Sequence, residues 1–318
     1  MPDELGVIDT VARRAGRAPR GYGPIGDDVA SLPSRKGKVV VKVDMLVEHT
    51  DVPPGMTYRQ AARKAVAMCV SDFAAKGVKP DSFMISLGVR KGVTQEQVDA
   101  LAEGFREAGR EWKVHLVGGD TNEAEELIID CVMVGFAGRI VPRGGSSPGD
   151  ALVVTGRFGY TRAGLEILMR SAGADAPFRK KATGSVLLPT PNLRAGIALA
   201  PYLTSAMDSS DGLARSLHTL AKASGVGFEL TSLPAAGGIE KFASSNGLDV
   251  EALVLQGGEE YVVVGTMRRR NLEAARRAVR GAGGELLEIG RATGSGRVEL
   301  LAGRMRRAVE DEGWTHLR

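Results

Sequence analysis

Apolar and polar residues change rhythm along this chain, and the changes predict its elements. Residues 38–44 read KVVVKVD, a β-branched run ending in an acid, and predict a strand. Over 57–76, Ala62, Val66, Cys69 and Phe73 recur at helical spacing behind a Thr57/Gln60 capping box. A strand is expected over 82–88, then a helix over Gln95–Trp112 opened by a second capping box, Thr94 with Gln97. Strand 113–117, a turn at Gly118-Gly119-Asp120-Thr121 and strand 127–137 complete the first half. Segment 142–150, PRGGSSPGD, is the clearest linker.

After the linker the pattern restarts. Strand 151–155, helices 161–171 and 192–202, and a short strand into Asp208 come first. Helix 212–223, strands 227–230 and 261–266, helix 271–281 and strand 285–291 follow. Strands and helices alternate on both sides of the linker. That predicts an α/β protein of the α+β type in two domains, 1–143 and 144–318. No short-period repeat is present.

Composition narrows the class without deciding function. With 318 residues, 43% hydrophobic and 25% charged, the chain has the make-up of a globular protein with room for two cores. A net charge of +4 is small for this length and implies no nucleic-acid partner. The basic runs 268–270 and 304–307 read as solvated faces. Cys69 and Cys131 lie far apart in apolar segments and read as buried free thiols of a reducing compartment. No signal-like hydrophobic core or membrane-length apolar run appears, so a cytoplasmic protein with no membrane partner is expected.

The chemistry is carried by acids set where strands or helices give way to small-residue turns. They stand in Gly26-Asp27-Asp28, Val43-Asp44, Ser71-Asp72, Gly119-Asp120, Asp208-Ser209-Ser210-Asp211-Gly212 and Gly257-Gly258-Glu259-Glu260. Singly, each reads equally as a helix cap or turn former, Asp211 above all, since it precedes a helix. Together they say more. Asp72 comes late in a helix, where neither capping nor the helix dipole favours a carboxylate. Flanking glycines let backbone amides approach an anion. Clustered carboxylates repel unless cations lie among them, and Mg²⁺ shared with substrate phosphates meets that need. Phosphoryl transfer asks for such charge neutralisation and in-line positioning. A Walker A loop and an H-E-x-x-H helix are absent from the sequence. Of the four histidines, His115 and His218 read as structural, while His49 and His316 fall near candidate segments.

These segments, in this order, resemble the thiamine-monophosphate kinases, within the superfamily of aminoimidazole ribonucleotide synthetase. Also matching are Asp44-Met45-Leu46-Val47, Arg63-Lys64-Ala65, Ser71 to Gly77, Arg143 before the linker, and Tyr261 closing the Glu259-Glu260 block. The resemblance covers nearly the whole chain. It implies a two-domain fold whose N-terminal sheets pair across a homodimer, with ATP in a groove beside them. It implies direct transfer of the ATP γ-phosphoryl group to thiamine monophosphate, assisted by several Mg²⁺ ions. By position, Asp28, Asp44, Asp72, Asp120, Asp208 and Asp211 are implied metal ligands. Gly119, Asp120, Arg143 and Ser210 are implied ATP contacts, and Asp51, Glu259 and Trp314 substrate contacts. No catalytic acid or base is assigned.

Three places in the sequence depart from the family pattern. Lys42 and Val43 stand where two hydroxyl residues are common, so Lys42 either takes over part of a metal site or pairs with a neighbouring acid. Either Asp51 or His49 faces the substrate where some members carry histidine. Glu260 stands where aspartate is commoner. Trp314 serves as a ring-packing aromatic or as a core plug. Two rival readings remain: another ATP-dependent enzyme of the superfamily, and a silent nucleotide-binding paralogue.

Overall fold

The computed structural model describes residues 4–15, 32, 33, 35–303 and 305–315. Asp28 and His316 lie outside the described residues. The chain divides into two compact units. One takes in the chain up to Val70 together with Val78–Gly138; the other takes in Ser71–Gly77 and the chain from Arg139 onward.

The first unit carries helix α1 (Glu4–Ala15), strand β1 (Lys38–Val47), a one-turn helix α2 (Glu48–Asp51) and helix α3 (Tyr58–Lys76), whose last turns belong to the second unit. Strand β2 (Pro80–Val89), helix α4 (Gln95–Trp112) and strands β3 (His115–Glu123) and β4 (Ile128–Ala137) follow. The sheet runs β1-β4-β2-β3, with only β2 and β3 parallel. Both predicted capping boxes form. Thr57 and Gln60 exchange bonds of 2.9 and 3.3 Å, Thr94 and Gln97 bonds of 3.0 and 3.2 Å.

Side chains alternate across the strands, so one face packs on α3 and the other stays open. Leu46, Ile129, Cys131, Met133, Phe83, Ile85 and Leu87 are buried on the packed face. The Cys69 thiol of α3 donates to the Cys131 carbonyl at 3.2 Å, and both cysteines are free and buried as expected. Helix α4 sits close against α3, where a Cβ on Gly104 would meet the Arg59 carbonyl at 2.2 Å. On the open face Val39, Val41, Val43 and Met45 are 63, 57, 52 and 55% exposed.

The predicted turn at Gly118–Thr121 is instead continuous strand. Residues 118–123 pair in parallel with Met84–Val89, and that ladder outweighs the turn preference of two glycines.

The second unit is built on a seven-stranded sheet. Its elements are β5 (Ala151–Val154), α5 (Tyr160–Arg170), α6 (Ala176–Leu187), α7 (Leu193–Leu199), β6 (Leu203–Ser209), α8 (Leu213–Ser224) and β7 (Gly227–Leu230). Then come α9 (Ile239–Asn246), α10 (Val250–Leu255), β8 (Val262–Met267), α11 (Leu272–Gly281), β9 (Leu287–Thr293), β10 (Val298–Ala302) and β11 (Met305–Ala308). The order is β11-β10-β7-β9-β5-β8-β6, with β10 and β7 the parallel pair. Its core joins Leu152, Phe158, Leu213, Leu217, Phe228, Val264 and Ile289. A smaller cluster around Phe178, Ile239 and Phe242 holds α5, α6 and α9.

Candidate functional site

In the second unit the end of strand β6 and the glycine that follows it shape the candidate site. Asp208 is 5% exposed, and its Oδ2 accepts the Ser71 hydroxyl at 2.8 Å. Ser71 and Asp72 stand on the last turns of α3, five and four residues before Lys76, whose amine donates to the Ala206 carbonyl at 2.6 Å. Burial lowers the Lys76 pKa to about 8, and the Arg143 charge pushes the same way, against the pull of Asp208 and Asp72. Two carboxylates and the Arg143 guanidinium therefore bear on the Lys76 amine.

Past Asp208 the chain turns through Gly212, whose φ of +110° suits only glycine, into helix α8. Two other segments close on this turn. The Glu259 amide donates to the Ser210 carbonyl at 2.6 Å, and the Tyr261 amide to the Ser209 carbonyl at 3.1 Å. The Trp314 amide donates to the Asp211 carbonyl at 3.0 Å. The approach is close enough that a Cβ on Gly313 would meet the Asp211 carbonyl at 2.1 Å. Glu259 and Tyr261 hold φ of +60° and +50°, a strained conformation for both residue types that the surrounding bonds maintain. Trp314 is 51% exposed, so it is not a core plug. Between these two left-handed residues, the half-buried Glu260 carboxylate accepts the amides of Gly159 and Thr161 at 2.6 and 3.1 Å, at the N-terminus of α5.

In the first unit, Asp44 pairs across β1 and β4 with Cys131, and Cys131 with Ile85, so its side chain lies on the packed face. Lys42, two residues earlier on that face, forms an ion pair with it at 3.0 Å. Asp120 is exposed and belongs to the neighbouring row, with Ser86, Asp130 and Met45, which alternation turns to the open face. Gly119 shares the row of Ile85, where a Cβ would meet the Ile85 carbonyl at 2.3 Å. Asp51 Oδ2 accepts the Val47 amide and the Thr50 hydroxyl, both at 2.8 Å. His49 is held by Glu126, through its amide at 2.8 Å and its ring at 3.2 Å.

The oxygen-only donor set fits Mg²⁺. Among the described residues no three His, Cys, Asp or Glu side chains converge into a ready cage. Magnesium does not need one, because it is held by one or two carboxylates with the rest of its shell from water and substrate phosphate.

Comparison with known proteins gives this arrangement its context. Residues 26–137 match the AIR synthase related protein N-terminal domain and 147–303 the AIR synthase related protein C-terminal domain. The thiamine-monophosphate kinase of Nitrosopumilus maritimus is 38% identical over 283 residues, 89% of this chain and 90% of that protein. The chain belongs to the thiamine-monophosphate kinase family. A second relative, the thiamine-monophosphate kinase of Pyrococcus abyssi, is 34% identical over 295 residues, 92% of this chain and 90% of its own. A solved structure, AaThiL complexed with AMPPCP and TMP, is 28% identical with a TM-score of 0.80, covering 99% of this chain and 97% of that one.

Against the residues the kinase resemblance singles out, the second unit brings Ser210, Asp211, Glu259 and Trp314 together, with Asp208 on the strand leading in. It leaves Arg143 exposed, within electrostatic reach of Lys76. Sequence reasoning missed Ser71, Lys76 and Gly313 as participants. Their signal was present in the Ser71 to Gly77 block and in the glycine before Trp314. His218 is structural as expected, its ring bonded to the Val309 carbonyl at 2.7 Å. No helix among the described residues is long and apolar enough to cross a membrane.

Proposed function

We propose that this chain passes the γ-phosphoryl group of ATP directly to the phosphate of thiamine monophosphate, giving thiamine diphosphate and ADP. A phosphate oxygen of the acceptor bonds to the γ-phosphorus as the bond to the bridging oxygen of ADP breaks. The observation that carries this reading is the closure of Glu259 and Trp314 on the Ser210-Asp211 turn, beside the buried Asp208. Family membership supports ATP and thiamine monophosphate as the substrates.

Each residue then has a task. Asp44, Asp72, Asp120, Asp208 and Asp211 hold Mg²⁺, together with Asp28. Bound magnesium neutralises phosphate charge and aligns the oxygens for in-line transfer. Gly119, Asp120, Ser210 and Arg143 contact ATP, the guanidinium suiting a phosphate clamp. Asp51 and Glu259 contact the acceptor, and the half-exposed Trp314 packs on its rings. Residues 1–143 form the nucleotide-binding dimerisation domain and 144–318 the C-terminal domain, in a cytoplasmic enzyme.

The open valine row of β1 supports a homodimer, since a monomer rarely leaves four neighbouring large apolar residues more than half exposed on one strand. Substituting Val41→Lys with Val43→Lys is expected to give a folded monomer by light scattering. A dimer of unchanged affinity would remove the valine row from the interface.

The reaction is tested by incubating the protein with ATP, Mg²⁺ and thiamine monophosphate and separating products by chromatography. Thiamine diphosphate with stoichiometric ADP is expected. ADP formed only on an aminoimidazole-pathway substrate would move the chain to another branch of the superfamily.

A further inference from the structure

Lys64 is 1% exposed, among the largest side chains that the described residues enclose completely. Lysine is almost never enclosed in this way unless its nitrogen is held, because an amine stripped of water must find a partner inside the protein. Its Nζ donates to the Asp51 carbonyl at 2.7 Å. That carbonyl ends α2, where a helical turn leaves its last carbonyls without internal partners, and lysine is one of the side chains able to satisfy them.

The rest of the turn is tied down as well. The Val52 amide donates to the Glu48 carbonyl at 3.0 Å, and the Leu127 amide to Glu48 Oε2 at 2.9 Å. Asp51 Oδ2 takes the Val47 amide and the Thr50 hydroxyl. Those bonds secure the turn to itself and to the segment before β4. Lys64 alone among these partners reaches it from α3, the helix that also carries Asp72. An apolar side chain would fill the same enclosed space without the desolvation cost of an amine. The amine is accounted for if the height of this turn above α3 matters to what the turn presents, which is His49 and Asp51.

We propose that Lys64 is a positioning residue for the phosphate acceptor, fixing the carbonyl end of α2 and through it the side chains of Asp51 and His49. The proposal rests on the thiamine monophosphate reading above, with Asp51 as an acceptor contact. Lys64 itself touches no reacting atom.

The test is steady-state kinetics on Lys64→Met, with amide exchange of the turn followed in parallel. The KM for thiamine monophosphate is expected to rise about tenfold, with kcat and the KM for ATP within about twofold of wild type. The Val47 and Val52 amides exchange faster, and Lys64→Arg, which still donates, recovers part of the lost affinity. If Lys64→Met does not fold, Thr50→Val loosens the same turn from its exposed side and must show the same selective rise in KM. A fall in melting temperature with all kinetic constants unchanged would make Lys64 purely structural and overturn the proposal. So would an equal rise in both KM values. Wild-type protein that makes no thiamine diphosphate sinks the acceptor reading and this proposal together, whereas normal wild-type turnover with an unshifted Lys64→Met KM sinks the proposal alone.

Discussion

Asp208→Asn is expected to lower kcat by about three orders of magnitude or more, roughly 4 kcal/mol of transition-state stabilisation, while the fold is kept. Asparagine has the same shape and still offers an oxygen to the Ser71 hydroxyl that now bonds to Asp208 at 2.8 Å. The buried packing at the end of β6 therefore survives. The change removes the negative charge, and with it the strong ligand for a hard cation. Asp72→Asn is expected to act in the same direction, since Asp72 shares the electrostatic surroundings of Asp208 and Lys76. The measurements are kcat with saturating ATP, Mg²⁺ and thiamine monophosphate, and the melting temperature of each variant. Near wild-type kcat in Asp72→Asn, with an unchanged melting temperature, would remove it from the metal site.

Much of this was legible in the sequence because the signals are local. Capping boxes at Thr57 and Thr94 announce helix starts whose bonds close within four residues, so spacing alone finds them. The alternation of Val39, Val41 and Val43 marks a strand, although only pairing with β4 reveals that this apolar row faces outward. The Gly118–Thr121 segment misled because its strand character comes from the parallel ladder with β2, a partner about thirty residues away that turn propensity cannot weigh. The candidate site divides along the same line. The acids stand out by type, but Asp44 and Asp120 look equivalent in sequence and fall in rows of opposite facing, a matter of register. Lys76 reads as an ordinary helix-end lysine until burial and the neighbouring Arg143 lower its pKa. Trp314 offered two uses of one ring, and only its exposure separates them.

The Glu260→Gln variant should change the pH dependence of stability more than any other single substitution in the turn that carries Glu259. Two causes act on this carboxyl in opposite directions. Loss of hydration on burial disfavours its charge, while the Gly159 and Thr161 amides at the start of α5 favour it. The lost hydration wins, and the pKa rises from 4.5 to about 7. Between those values the folded chain keeps a proton that the unfolded chain has already released. The stabilisation is therefore complete below pH 4.5 and is lost as pH rises through about 7. Its size is about 3 kcal/mol over that window. Glutamine keeps an oxygen for both amides and cannot titrate, so unfolding free energies of the variant, measured from pH 5 to 8, should lose this slope. Parallel profiles for wild type and variant would rule out the raised carboxyl. The consequence reaches the site because Glu260 joins α5 to the strained pair Glu259 and Tyr261. Above pH 7 the carboxylate is charged inside the fold, where its lost hydration outweighs its stronger bonds to the α5 amides. The loop that presents Glu259 should then become the first part of this unit to show faster amide exchange.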